Sequence, residues 1–318
     1  MESLDVVAVG LNVVDVLLTL PPTITHNDKH EVSDLVIQGG GPAATAACVP
    51  AALGWRVGFV ARMGDDTISK IARAEFVNRG VSDACFIDDP DHQPGVAVVE
   101  ITANSGDRTI FYNLRKYRFL KPSDIPESAV RSARLVMVDS YEIQAALAAL
   151  RIARKAGCKS VVDVENGDTS QLRELISLGT DVIIPMKTAQ KLSGHGDVES
   201  ILSDLAASTR GTLIVTDGSR GSWALTPKGV LHQPAFPVKV VDTTGCGDVF
   251  HGAYGAALLD DLPLPQRMEF ASFLASRVAK VIGGRADLPG RRGLAQCDLS
   301  ALSEPLRHHI QHAGKKVL

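Results

Sequence analysis

Short β-branched runs alternate with helical segments along most of the chain, and this alternation constrains the fold more than any other sequence feature. Strand-like runs are read at Val6–Val9, Val57–Ala61, Leu135–Val138, Ser160–Val164, Asp181–Pro185 and Thr212–Thr216. Helical periodicity is read over Pro42–Leu53, Ile68–Asn78, Ile143–Ala156, Gln171–Ile176, Val198–Ser208, Gly247–Leu259 and Pro265–Ile282. In the last of these, Ala271, Leu274, Ala275, Val278, Ala279 and Ile282 form one apolar stripe. Strands separated by helices pair in parallel and need cover on both faces. An α/β fold with a mostly parallel sheet is therefore predicted.

Two segments break the alternation, Val16 to Ile37 and Pro94 to Tyr117. They carry strand-like runs (Leu35–Ile37, Val96–Ile101, Thr109–Tyr112) without a helix, and Asn104-Ser105-Gly106-Asp107 reads as a hairpin tip. Paired, they would form a small β-sheet. It is either a lid over the carboxyl ends of the main strands, where ligands of α/β proteins bind, or a surface meander. The corresponding division is a core of residues 1–15, 38–93 and 118–318 and a β lid of residues 16–37 and 94–117.

Composition narrows the partners. A net charge of −3 argues against nucleic acid, whose binding runs on basic patches. No run approaches the ~18 apolar residues of a membrane span. The five cysteines, Cys48, Cys85, Cys158, Cys246 and Cys297, form no CxxC pair and read as reduced thiols. The opening residues lack a basic stretch before an apolar run, so no leader and a cytoplasmic location are expected.

The most informative stretch runs from Val240 through Asp242-Thr243-Thr244-Gly245-Cys246-Gly247-Asp248 to Phe250. An apolar run ends at Asp242, a glycine-rich turn follows, and a helix begins. Gly245 and Gly247 let successive backbone N–H groups face one concavity, an anion nest at a helix N-terminus. Asp248, in the first helical turn, is placed to take a proton from a hydroxyl beside that nest. The bland reading is a tight turn and a helix-start acid. Gly252 and Gly255 within the helix each cost ~1 kcal/mol against alanine, which suggests a close approach to that face. Pro50 is awkward inside its helix.

This stretch resembles the second signature of the ribokinase-like, or pfkB, carbohydrate kinases, roughly D-T-x-G-A-G-D, with Cys246 in the usual alanine position. The resemblance covers nearly the whole chain. Val9 to Asp15 is similar to the family's opening strand, and Gln38 to Gly54 to its first signature. Gly64-Asp65-Asp66, Gly80-Val81 and Thr216-Asp217-Gly218-Ser219-Arg220-Gly221 fall where the family has further motifs. The resemblance implies a three-layer α/β/α sandwich with a small β lid, and ATP-dependent phosphorylation of a small sugar with Mg2+. Asp248 would be the base, with Gly245, Cys246 and Gly247 holding the moving phosphate. Asn12, Asp15, Lys29, Gly40, Gly41, Thr45, Arg108 and Asn113 would bind the sugar. Lys187, Thr216, Gly218, Ser219, Gly221, Thr244 and Gly283 would bind the nucleotide, beside the helix Ala271 to Ile282. Glu165 is a candidate for magnesium and Asp242 for potassium (K+). The family also implies a homodimer through the lid.

Departures shape the expected substrate. Thr45 stands where the family often has asparagine. The N-x-x-E motif is missing at Pro185-Met186-Lys187-Thr188-Ala189, which leaves magnesium mainly to nucleotide phosphates and water. The ketohexokinase-like and sulfofructose kinase branches look most similar, the latter through Gly39–Ala47, Val249-Phe250-His251-Gly252 and Gly283-Gly284-Arg285-Ala286. Tyr141 stands where that type would have an arginine. The expected acceptor is a ketohexose or a sulfonated, anionic derivative, with Lys29, Arg108 and Arg115 as cations. Another sugar or a nucleoside is the alternative, as in fructokinase, ribokinase or adenosine kinase types. Gly39-x-Gly41-x-x-Ala44 has dinucleotide-binding spacing, yet Arg62 follows the next strand where an acid is needed. No GxxxxGK[ST] occurs, and the nine histidines show no metal spacing. A catalytically silent sugar-binding regulator is the remaining rival, and retention of Asp248 counts against it.

Overall fold

The computed structural model describes residues 3–103, 106–209 and 211–315. Asn104 and Ser105, half of the expected hairpin tip, lie outside the described residues. The strands begin with β1 (Val6–Val9), β2 (Val13–Thr19), β3 (Leu35–Gly40), β4 (Val57–Met63), β5 (Val81–Ser82), β6 (Phe86–Asp88) and β7 (Gly95–Ile101). They continue with β8 (Arg108–Asn113), β9 (Leu135–Asp139), β10 (Lys159–Asp163), β11 (Asp181–Pro185), β12 (Thr212–Thr216), β13 (Ser222–Thr226) and β14 (Gly229–Gln233). The helices begin with α1 (Pro42–Ala52), α2 (Thr67–Asn78), α3 (Glu127–Ser132), α4 (Ile143–Ala156), α5 (Thr169–Leu178) and α6 (Met186–Ser193). They end with α7 (Val198–Ala206), α8 (Cys246–Leu259), α9 (Leu264–Val278), α10 (Arg291–Ala295) and α11 (Glu304–Lys315).

The larger sheet has the order β14-β13-β12-β11-β10-β9-β1-β4-β5, with β6 also on β4. It is parallel from β12 to β5, and β13 and β14 add an antiparallel edge. All four residues of β1 are buried, as an unbroken apolar run in a doubly covered parallel sheet requires. One face packs α1, α2, α8 and α9 around Phe59, Met137 and Tyr254. The other packs α3 to α7 around Val60, Val138 and Leu150. The expected three-layer α/β/α arrangement is thus present.

The two helix-free insertions pair into a second sheet of order β3-β2-β7-β8. Its strands run past the expected boundaries: β2 begins at Val13 and β3 ends at Gly40. Asp15 and Gly40 therefore sit on this small sheet. Its underside, Leu17, Val99 and Ile101, closes on Val36 and Ile282. Since Gly39 and Gly40 end a strand outside the parallel sheet, they form no dinucleotide crevice, and Arg62 is engaged by Asp89 and Asp124.

The last long helix is shorter than its apolar stripe predicts. It stops at Val278 because the Ala279 carbonyl accepts the Val241 and Asp242 amides (2.8 and 3.3 Å). Ile282 then leaves the helix and fills the space under the small sheet. Pro50 stays inside α1. Having no N–H, it leaves the Ala46 carbonyl without its helical donor. Gly252 of α8 packs on that carbonyl, and a Cβ there would lie 2.3 Å from the oxygen. The approaching body suggested by the α8 glycines is therefore α1 at Gly252, and Leu135 and Met137 at Gly255.

Gly252→Ala should destabilise the protein by about 1–3 kcal/mol, because the backbone it meets has little room to yield. Urea denaturation of both proteins measures this.

Candidate active site

Two acids of the site come from the carboxyl ends of neighbouring central strands of the large sheet. Asp139 ends β9 and Asp163 ends β10, with Glu165 just beyond; Asp139 and Asp163 are register partners. The glycine-rich turn faces these strand ends from the head of α8.

Asp242 organises the turn. It is wholly buried, and its Oδ1 accepts the Thr244 amide (2.7 Å) while Oδ2 accepts the Gly283 amide (2.9 Å). Gly245 caps α8 with φ +73°, and a Cβ there would lie 2.6 Å from the Gly284 Cα. A Cβ at Gly247 would meet open space, so the mouth of the nest is clear. The Thr244 hydroxyl is buried with no partner among the described residues, which suits a phosphate oxygen.

Asp248 is half-buried at the first turn of α8. Its carboxyl is pushed up to about 7, first by burial and then by Glu165 and Asp15, against the cations Arg108 and Arg285. A base near neutrality suits general-base chemistry. One turn on, the His251 ring meets the Gly247 carbonyl at 2.7 Å, with Nε2 3.4 Å from Asp163 Oδ1. Burial lowers His251 to about 4, so the ring is neutral at pH 7, and burial, with Glu165, Asp248 and Asp139 nearby, raises Asp163 well above its ordinary value. Burial also raises the Cys246 thiol to about 12, which removes the thiolate needed for ready oxidation.

On the small sheet, Asp15 rests against Gly40, where a Cβ would lie 2.1 Å from Oδ2. Burial raises Asp15 to about 6 against the pull of Arg285. Gly41 has φ +94°, and a Cβ there would lie 2.0 Å from the Leu11 carbonyl. These glycines admit the chain's own groups. Buried Asp139 accepts the Leu11, Ala43 and Tyr141 amides (2.9, 3.1 and 3.0 Å) and fixes the backbone behind Asp15.

Two expected sugar ligands are turned inward. Asn12 is 1% exposed, with Nδ2 directed at the Met63 sulfur, and Thr45 is 3% exposed and accepts Arg285 Nε. Lys29 is exposed on the loop between β2 and β3, and Asn113 is exposed at the end of β8. Arg108 is at the phosphate turn: its Nη1 donates to Thr243 Oγ1 (2.8 Å), which donates to the Gly106 carbonyl (2.9 Å).

For the nucleotide, Thr216 ends β12 as the register partner of Pro185, with Lys187 exposed just beyond. Gly218 and Ser219 are exposed, and a Cβ at Gly218 would meet open space. Gly221 has a different reason, since a Cβ there would lie 2.2 Å from the Gln233 carbonyl. Gly283 faces Gln38 of β3 and Asp242. Glu165 is exposed, with Oε2 accepting the Tyr141 hydroxyl (3.3 Å). Among the described residues, no three His, Cys, Asp or Glu side chains are grouped to hold a metal alone.

The sequence analysis did not single out Asp139, Asp163, His251 or Arg285 as site residues. An acid closing the apolar run Leu135–Val138 was a usable signal for Asp139. Arg285 and His251 stood within stretches that carried the branch resemblance, but no sequence feature assigned either a role.

A family model described as pfkB family carbohydrate kinase matches residues 3–291. An aminoimidazole riboside kinase of Salmonella typhimurium is 31% identical over 238 residues, covering 69% of this chain and 73% of its own. A bifunctional ribokinase/ribose-5-phosphate isomerase A of Fructilactobacillus sanfranciscensis is 29% identical over 267 residues. That match covers 80% of this chain and spans about half, 49%, of the relative. The Arabidopsis thaliana ribokinase, solved with ribose and ATP, superposes with a TM-score of 0.78 at 22% identity, over 95% of this chain and 100% of that one. The nest at the head of α8, the acid beside it and the family match across the large sheet and its helices agree, and the chain belongs to the pfkB family of carbohydrate kinases.

Proposed function

We propose that this kinase moves the terminal phosphoryl group of ATP to a hydroxyl of a small sugar, a ketohexose or a sulfonated, anionic derivative. The observation that carries the reading is Asp248, a carboxyl near neutrality at an open anion nest, with Asp15 near enough to act on its charge. The acceptor oxygen attacks the terminal phosphorus, its proton passes to Asp248, the bond to the bridging oxygen breaks, and ADP leaves. The amides at Gly245 to Gly247 and the Arg108 cation meet the charge on the moving group. Magnesium, when bound, neutralises phosphate charge; Glu165 is the exposed acid that fits it, with phosphates and water supplying the other oxygens. Asp242 already serves two amides, and we assign it to the turn in place of potassium. Lys29 and Arg115 make no ion pair among the described residues and are the cations for an anionic sugar.

One observation favours a second reading. Leu11, Val13 and Ala97 cluster with Leu114, Tyr117 and Tyr141 into a largely apolar wall beside Asp15's strand. Such a wall suits the flat aglycone of a riboside. An ADP-release assay across ketoses, sulfo-sugars, aldoses and nucleosides separates the readings. Preference for sulfofructose over fructose supports the anionic sugar, and turnover confined to nucleosides overturns it.

The small sheet is proposed as a lid and as the contact of a homodimer. Ile37, Val16, Val98 and Phe111 form one cross-strand row on its outer face, with Ile37 52% and Phe111 56% exposed. No described helix is long and apolar enough to cross a membrane. The five thiols are free, and we place the enzyme in the cytoplasm.

Asp248→Asn should lose about 10²-fold or more in turnover with folding intact. Wild-type turnover should rise with pH through about 7, because only the ionised acid accepts the proton. Stability should move oppositely. A carboxyl raised in the folded state stabilises fully below its unfolded value, and that contribution is lost as pH rises through about 7. Asp248→Asn should therefore melt above wild type at pH 8, with the gap closing towards pH 4; calorimetry at both ends measures it. Phe111→Asp should convert a dimer to a monomer in sedimentation velocity.

A further inference from the structure

Arg285 is the largest fully buried side chain in the described chain, with none of its surface exposed. Its Nε donates to Thr45 Oγ1 (3.1 Å) and its Nη2 to the Gly40 carbonyl (3.0 Å). Its Nη1 has no partner, and no carboxylate lies within 4.0 Å among the described residues. The guanidinium carbon stands 5.5 Å from the Phe76 ring centroid, and the Arg285 carbonyl accepts Arg79 Nη1. A buried cation without a close anion costs several kcal/mol. A chain selected only for stability would place an apolar side chain there.

The surroundings say what this cation serves. Gly39 leaves the room that the guanidinium occupies, since a Cβ there would lie 2.1 Å from Nη1. At Gly40 the same backbone carries Asp15 against its Cα and Arg285 on its carbonyl. The arginine's charge acts on both Asp15 and Asp248. Its neighbour Gly283 is bonded to Asp242, and Gly284 is packed on Gly245 of the phosphate turn. One short segment therefore joins the sugar-side glycines to the phosphate-side turn. Thr45, the departure from the family's asparagine, spends its hydroxyl's acceptor capacity on this arginine.

We propose that Arg285 is a positioning residue for the acceptor: through the Gly40 carbonyl and the Thr45 hydroxyl it holds the Gly39–Gly41 backbone against which Asp15 packs. This rests on the assignment of Asp15 and Gly40 to the sugar side. Thr45 and Arg285 act as one unit. The threonine is short enough to leave room for the guanidinium, and the guanidinium orders the backbone from behind.

The test uses the full-length kinase and the best acceptor from the substrate panel. Three variants are compared: Asp15→Asn, Thr45→Val and Arg285→Met. Loss of a hydrogen bond to a buried charge should raise the acceptor KM about 10-fold or more in Thr45→Val and Arg285→Met. The KM for ATP should change less than about 2-fold in Thr45→Val, whose hydroxyl bonds Arg285 and not the loop Thr216 to Gly221; Arg285→Met is read on the acceptor KM alone, because its segment also reaches the phosphate-side turn through Gly283 and Gly284. In Thr45→Val a merely structural role would raise both KM values together or lower kcat alone, and either result overturns the proposal. Where Arg285→Met does not fold, Thr45→Val decides. Asp15→Asn separates the two levels of argument. If it raises the acceptor KM while the other variants leave it unchanged, the arginine's role falls and the sugar side stands. If Asp15→Asn leaves that KM unchanged, the sugar-side assignment falls and the proposal with it.

Discussion

A single buried carboxylate, Asp242, underlies the geometry of the site. Its two oxygens bind the amides of Thr244 and Gly283, one on each side of the phosphate-facing turn. Buried amides need partners, and here one side chain satisfies two that are far apart in sequence. The turn is thereby tied to the segment that follows α9. With Gly245 packed on Gly284, the head of α8 can take only one position relative to the chain behind it. An anion nest must be set in advance, because its value lies in dipoles that need no reorganisation when charge develops.

The arrangement around this turn runs against stability. Burial raises Asp15, Asp163 and Asp248, and neighbouring acids raise them further: Asp242 acts on Asp15, Glu165 and Asp248 on Asp163, and Glu165 and Asp15 on Asp248. The chain moderates the repulsion with neutral partners and with two cations. His251 stays neutral beside Asp163, Arg108 and Arg285 both draw Asp248 down, and Arg285 also draws Asp15 down. On the reading proposed above, a phosphate-bearing nucleotide would add negative charge here, which the amides and Arg108 would meet. Strain of this kind is expected where function decides the residue.

Several residues whose types were legible had roles that were not. The glycines of the first signature read as room for a sugar, yet Gly40 and Gly41 admit Asp15 and the Leu11 carbonyl. Pro50 had no account in the sequence; it frees a carbonyl on which Gly252 packs. The stripe ending at Ile282 predicted a longer helix. Periodicity reports which residues are apolar and is blind to a distant amide, such as that of Val241, that captures a helix-ending carbonyl. Asn12 and Thr45 are polar by type, and only the fold shows them buried, Thr45 on Arg285 and Asn12 with its Oδ1 unpartnered among the described residues.

The sequence alone determined the three-layer α/β plan, the pairing of two helix-free insertions into a second sheet, and the glycine-rich turn with its acid. Each follows from local patterning: period 3.6 against short apolar runs, turn residues, and a charge at a helix start. Tertiary structure decided which carboxyls are pushed towards neutrality, which glycines face chain and which face open space, and that Arg108 serves the phosphate turn. It alone brought Arg285 to Thr45 and Gly40, across 240 and 245 residues of sequence. Those outcomes depend on distance and burial between remote segments. Electrostatic and steric energies are set by these, and a linear pattern carries no record of them.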